Sequence, residues 1–322
     1  MRPGTFFVLV AIQMLPVRAH ANPFPTAGAD KPMRIIVTTA AGSGIDQLTR
    51  PIAEKLGQRI GRAVVVDNRP GANGAIGVNV AAEGVPDGMT LVSTSNSFVI
   101  NGVLKRFPYD IRTTFAPVAQ ISSQYYMALC PVSLPVNSFA EMLDYARKNP
   151  GKITFGSAGA GGASHLAAEV FQKSTGTRFV HVPYKGILQA FNDVMAGHVD
   201  MMFGFEASVG PHMHGGKVRV LAVTGAKRHP ALPNVPAVSE VVPGYVMVSW
   251  ATLVAPPGTP VSVVQKLSAA TVEVMRMPEV IERIRLQGYE VVGTNAAATK
   301  TQLRQEAERW RKIVPSLGIK PE

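Results

Sequence analysis

The stretch Met33-Arg34-Ile35-Ile36-Val37-Thr38-Thr39-Ala40-Ala41-Gly42-Ser43-Gly44-Ile45-Asp46 is an apolar, β-branched run that ends in a glycine turn. Branched side chains favour an extended strand, and glycines let the backbone turn tightly. A helical pattern follows from Asp46 to about Ile60, with Pro51 inside it; a kink or a late helix start is expected there. The rhythm then repeats. A strand is expected over 63–67, a turn at Asn68-Arg69-Pro70-Gly71, a helix over 72–83, a turn at Pro86-Asp87-Gly88 and a strand over 90–94. This β-α-β-α-β order defines an α/β fold with a mostly parallel sheet and helices on its faces.

The same alternation recurs downstream. Ser138 and Glu141 form a capping box for a helix to about Lys148. Strands are expected over 153–157, 179–183, 199–203 and 218–224, and helices over 164–173 and 187–196. Thr259 and Pro260 open a helix that places Val264, Leu267 and Val274 on one face. Thr299 and Gln302 read as the capping box of a last helix to about Val314. Two long extended segments, 116–131 and 245–255, separate the halves. The chain is therefore expected to leave a first domain (22–124 and 249–322), build a second (125–248) and return. Two crossings imply a hinge with a ligand cleft between the halves. No internal repeat is evident in the sequence.

The 322 residues are 46% hydrophobic and 16% charged, which excludes a disordered chain and suits two domains. Residues 1–21 read as an export signal: Met1-Arg2, an apolar run over 5–15 broken by Gln13, and the small-x-small site Ala19-His20-Ala21. The apolar run is short of the ~20 residues of a membrane span. Cleavage after Ala21 would leave 301 residues in the periplasm. Cys130 is the only cysteine, so no intrachain disulfide can form, and its apolar surroundings mark a buried strand residue. The net charge of +11, or +9 without Arg2 and Arg18, suits an anionic ligand. The basic residues are scattered, with no basic–aromatic array, which argues against nucleic acid. No cofactor is expected: Gly42 and Gly44 lack the third glycine of a dinucleotide loop because position 47 is Gln, and 210–217 misses a P-loop by one residue. His212 and His214 have no Cys or acid beside them and read as a solvated loop, not a metal pair.

Two glycine-rich turns each join a strand to a helix. One is the turn quoted above. The other is Ser157-Ala158-Gly159-Ala160-Gly161-Gly162-Ala163-Ser164-His165, in the other half. A helix N-terminus offers unpaired N–H groups and the positive end of a dipole, so such a turn can hold an anion without a charged side chain. One turn on each side of a cleft suggests a small anion held between them, beyond the carboxyl ends of the strands. Ser157 reads as a hydrogen-bond donor to that anion. His165 reads as a packed or capping residue or a ligand contact, and Asp46 as an N-terminal helix residue and a ligand contact. The rival reading is an exported hydrolase with Ser157 as nucleophile and His165 as base. It lacks a G-x-S-x-G elbow, since position 155 is Phe, and an acid at a telling spacing.

Taken together, these motifs resemble those of the periplasmic solute-binding receptors of tripartite tricarboxylate transporters, the Bug receptors. The likeness runs through 32–37, the turn ending in Asp46, 65–74, 86–91, 115–118, 149–153, Ser157 to His165, 181–186, 221–224, 232–236, Trp250 and 255–260. It implies a two-domain Venus flytrap of the type II periplasmic-binding-protein fold. It also implies a monomer that closes on a small carboxylate and hands it to membrane transporter subunits. Carried over, the ligand would meet Thr39, Ala41, Ser43, Gly44 and Asp46 on one side, and Ser157, Gly159, Ala160, Gly161 and His165 on the other. Ser95 and Tyr184 would serve as further wall residues. A sensor that signals through a partner would have the same sequence features. Two departures fall at the pocket: the first turn reads Ala40 to Asp46 without the usual Pro-Gly-Gly start, and Gly204 stands where an Asp is common. Ile45 suggests a more apolar wall.

Overall fold

The computed structural model describes residues 31–104, 107, 110, 114–205, 215–230 and 232–318. The expected export signal, His212 and His214 lie outside them. In chain order the elements are β1 (Met33–Val37), α1 (Gly44–Ile60), β2 (Val64–Asn68), a 3-10 turn at Ala72–Gly74 leading into α2 (Ala75–Ala82), β3 (Thr90–Ser95) and α3 (Asn96–Val103). Next come β4 (Ala116–Pro131), α4 (Phe139–Lys148), β5 (Thr154–Ser157), α5 (Ala163–Thr175), β6 (Val180–Pro183), α6 (Ile187–Ala196), β7 (Met201–Phe205) and β8 (Val218–Val223). The chain ends with α7 (Val238–Val241), β9 (Val248–Ala255), α8 (Val261–Met275), α9 (Pro278–Arg285), β10 (Glu290–Val291) and α10 (Ala296–Ser316).

One curled sheet runs β2-β1-β3-β9-β4-β7-β5-β6, with β8 and β10 paired to β4. At one end β2, β1 and β3 are parallel and β9 is antiparallel to β3. At the other end β6, β5 and β7 are parallel and β4 is antiparallel to β7. Read inward from each edge the order is the same: second strand, first strand, third strand, then an antiparallel crossing strand. The two crossing strands pair with each other from Ala116↔Ala255 to Tyr125↔Val248. From Tyr126 onward β4 pairs with β7 and β8 instead. Both expected crossing segments are therefore real, and the partners change at Tyr125/Tyr126.

Burial of apolar surface holds these layers together. On one face a continuous core runs across both ends of the sheet and contains Phe98, Phe139, Phe155, Phe171, Phe203 and Trp310. The opposite face carries Leu48, Ile52, Leu56, Leu267 and Ile284 at one end and Phe191, Val194 and Met202 at the other. Val264, Leu267 and Val274 are all buried, as the helical spacing of α8 predicts, and Cys130 is buried on β4.

Three local expectations need correction. Helix α1 starts at Gly44 and runs through Pro51. Proline removes one helical hydrogen bond, but Pro51 is itself buried and the apolar face around it anchors the helix to the sheet. The helix expected over 72–83 begins only at Ala75, because Gly71, Ala72, Asn73 and Gly74 all have positive φ (124°, 48°, 51° and 93°). Helix α10 is capped by Asn295, whose Oδ1 accepts the Ala298 N–H at 3.0 Å. Thr299 instead sits inside the first turn, where its Oγ1 donates to Asn295 O and accepts the Gln120 N–H at 2.9 Å. The Ser138 cap is as expected, with Oγ accepting the Glu141 N–H, while the Glu141 carboxylate reaches back to Asn137 N at 2.8 Å.

Candidate functional site

The two glycine turns occupy equivalent places. The first follows β1 and opens α1; the second follows β5 and opens α5; both leave the carboxyl end of the middle strand of a parallel trio. Ser43 and Gly162 are the residues preceding α1 and α5, and neither helix start has a side-chain cap. First-turn N–H groups are thus left for a ligand or water at both places, with two dipole ends that favour an anion.

Asp46 organises the first turn. Its carboxylate accepts the Gly42 N–H at 2.8 Å, Arg50 Nε at 2.9 Å and Asn68 Nδ2 at 2.9 Å, and it pairs with Arg50 Nη2 at 2.9 Å. Asn68 Nδ2 also donates to Thr39 O at 3.1 Å. Burial alone would raise the Asp46 carboxyl, but the hydrogen bonds from Arg50, Gly42 and Asn68 and the Arg50 charge outweigh it and hold it below the ordinary range. With its oxygens so occupied and the side chain buried, Asp46 builds the turn from behind.

The hydroxyls of Thr39 and Ser43 lie 2.6 Å apart. Two hydroxyls sharing one hydrogen bond retain one O–H to give to a ligand. Ala41 is exposed at the tip. Gly44 packs inward: a Cβ there would stand 2.1 Å from the Tyr289 hydroxyl. Ile45 is half-buried in the first helical turn. Ser95 is half-buried at the end of β3, with its Oγ 3.1 Å from Ser97 Oγ.

Side chains beneath the second turn frame it. Ser157 is fully buried; its Oγ accepts the Gly159 N–H at 3.2 Å and lies 2.7 Å from His181 Nε2. His165 Nδ1 accepts the Gly161 N–H at 3.0 Å, and its Nε2 is 3.5 Å from Glu169 Oε1. Ser164 Oγ accepts the Ala158 N–H at 3.1 Å. Ala160 is exposed at the tip, and Gly159 (φ 123°) and Gly161 (φ 67°) supply left-handed positions that other residues resist. The imagined Ser157–His165 catalytic pair is not formed: the histidine against Ser157 is His181, and His165 serves the backbone. Tyr184 gives its hydroxyl to Asp193 at 2.5 Å, and its phenol is pushed up to about 12 by burial and by that carboxylate. Gly204 is a buried residue of β7.

Asn73 joins the site although its residue type and spacing mark no ligand contact. It sits in the run of four positive φ angles, where two non-glycine residues bear backbone strain. Its carbonyl accepts Asn101 Nδ2 at 3.0 Å, and its own Nδ2 donates to Ala160 O at 3.4 Å. The turn after β2 thus reaches the second glycine turn, while Gly74 packs against Thr38 at the foot of the first. The sequence Gly71-Ala72-Asn73-Gly74 carries this signal, since glycines on either side of an Asn mark a left-handed turn.

The topology, two α/β ends joined by two crossing strands with glycine turns at equivalent places, is that of a periplasmic binding protein. Solved structures of this class superpose on it. Periplasmic binding protein BugD has 31% sequence identity and a TM-score of 0.80, over 90% of this chain and 99% of that one. An R. palustris protein solved with adipate has 32% identity and a TM-score of 0.82, over 90% of this chain and 98% of the other. A UPF0065 protein of Pseudomonas sp. strain P51 is 34% identical over 287 residues, covering 88% of this chain and 85% of the relative. The chain belongs to the tripartite tricarboxylate transporter family of receptors, whose family model matches residues 48–319. Its relatives are substrate-binding receptors, not enzymes. Among the described residues no helix is long and apolar enough to cross a membrane, and no group of three or more His, Cys, Asp or Glu is placed to hold a metal ion.

Proposed function

We propose that the protein captures a small carboxylate between the two glycine turns and delivers it to the membrane subunits of a tripartite transporter. The observation that carries this reading is the pair of uncapped helix starts at equivalent places, one after β1 and one after β5. The Thr39–Ser43 hydroxyl pair and the tips at Ala41 and Ala160 supply neutral donors. Asp46, Ser157 and His165 hold the turns in shape, and Gly44, Gly159 and Gly161 give the backbone its path. The domains are 22–124 with 249–322, and 125–248; they close about the β4–β9 crossing. Closure excludes water and strengthens the hydrogen bonds to the anion. The mature chain begins after Ala21, and it works as a monomer.

An R. palustris relative was solved with adipate, so dicarboxylates head the ligand panel, followed by tricarboxylates, acidic amino acids and aromatic acids. The test is thermal unfolding of residues 22–322 against the panel, before and after denaturation and refolding to strip resident ligand. A ligand at ~100 times its dissociation constant adds about 2.7 kcal/mol, a rise of several degrees. A rise for one chemical class supports the reading. No rise for any carboxylate after refolding overturns it.

A further inference from the structure

The second glycine turn hangs on two imidazoles. The His165 ring stacks on that of His181 with centroids 4.0 Å apart and planes inclined by 21°. His181 also stacks on Phe155, at 4.7 Å and 20°. Through these rings the turn is fixed at two points. His165 Nδ1 takes the Gly161 N–H directly, and His181 Nε2 meets Ser157 Oγ, which in turn takes the Gly159 N–H. A nitrogen that accepts an N–H carries no proton. His165 is therefore in the neutral form protonated at Nε2, the atom that faces Glu169. Protonating Nδ1 would set two N–H groups against each other at 3.0 Å. It would also place a cation on the face of His181. Glu169 sits beside His165, with Oε1 3.5 Å from Nε2, and its charge also reaches His181.

We propose that His165 and His181 are positioning residues for the second turn, which keeps its anion-receiving shape only while both rings are neutral. The charge balance agrees. Burial first, and then the repulsion from the charge that a protonated His165 would carry, hold His181 down to about 4 against the opposing pull of Glu169. Glu169 stays ionised because the His165 hydrogen bond lowers it, with burial opposing. A histidine whose native value lies below its ordinary 6.5 favours the native arrangement fully above pH 6.5. That contribution falls as the pH drops toward 4. The link from turn to affinity rests on the receptor reading above; the state of the rings does not.

Two measurements on residues 22–322 test this and fail separately. The first is a ligand-free NMR titration of the histidine rings and of the Gly159 and Gly161 amides from pH 8 to 3.5. Expected are both rings neutral at pH 7, and glycine amides that move together with protonation of the His181 ring as the pH falls toward 4. A cationic His165 at pH 7, or amides that stay still while the rings titrate, overturns the proposal. The second is the dissociation constant of adipate across the same range for the wild type and for His165→Asn with His181→Gln. Asn and Gln keep an acceptor near Nδ1 and Nε2 respectively but do not titrate. Adipate's own titration cancels in the ratio of wild type to variant. The wild type should lose about twofold more affinity than the variant between pH 7 and pH 4, where half of His181 is charged. Equal losses, or a gain in acid from a cationic imidazole on the ligand, overturn it. If adipate fails to bind at any pH, its choice as ligand falls and the NMR titration alone decides.

Discussion

At the scale of single residues, the first turn depends on two groups that face away from its tip. Asp46 collects four hydrogen bonds and ion-pair contacts, and truncation to Ala would orphan Gly42 N–H, Asn68 and Arg50 together. Hydrogen bonds to a charged group contribute about 1.5–3 kcal/mol each, and the exposure of Gly42 and Arg50 lets water replace part of what is lost. We expect Asp46→Ala to lower stability by about 2–4 kcal/mol and to weaken ligand binding, read by denaturant unfolding and calorimetry. Because the folded carboxyl lies below its ordinary 3.8, its contribution is fully present above that pH and is lost as the pH falls further. Gly44 poses a steric question. A Cβ would meet the Tyr289 hydroxyl at 2.1 Å but the ring carbon behind it only at 3.3 Å. Gly44→Ala should cost about 1–3 kcal/mol by overpacking, and adding Tyr289→Phe should restore part of it. A double-mutant cycle with no coupling would show that the two do not touch.

At the scale of elements, strands and helices were readable wherever the local pattern was strong. The glycine turns, β1, α6 and the apolar face of α8 needed no tertiary information, because branched runs and helical spacing act over a few residues. The start of α10 lies one turn before the expected cap at Thr299. Thr299 looked like a cap, but its hydroxyl is drawn to the crossing strand, where it accepts the Gln120 N–H, and Asn295 caps instead. A residue 179 positions away in sequence decided the matter. Thr299→Ala should therefore leave helix content unchanged and cost about 1–2 kcal/mol through the unpaired Gln120 N–H. Equal stability of variant and wild type would show that this bond adds nothing. The helix expected over 72–83 was misplaced for the same kind of reason: Asn73 is held at positive φ by Asn101 and Ala160, partners that lie 28 and 87 residues away.

At the scale of the whole molecule, the turn of Asn73 adds an exposed hydrogen-bonded strap to the β4–β9 pairing and the shared core that join the two ends of the sheet. Its backbone is left-handed, so glycine fits without strain. Asn73→Gly should remove the bond to Ala160 while keeping the turn. We expect a wider ligand-free molecule by small-angle scattering and a several-fold weaker ligand, about 1 kcal/mol for one exposed hydrogen bond. Identical scattering and affinity would dismiss the strap. The same scale shows a repeat that the sequence hides. The strand order and the place of the glycine turn recur in both ends, yet the turns share little beyond small residues, since topology is set by the spacing of apolar segments and not by their identity.

The sequence alone determined the fold class, the two crossings, the burial of Cys130 and the positions of both glycine turns. These follow from periodicity, glycine geometry and hydrophobic burial, which are local or compositional. Only the tertiary structure decided what each polar side chain does. It gave His181, not His165, to Ser157; it turned Asp46 inward; it spent the Tyr184 hydroxyl on Asp193; and it brought Asn73 to the second turn. A hydrogen bond reaches about 3 Å, so the partner of a serine or an aspartate is settled by which distant segments the packed core brings within that distance.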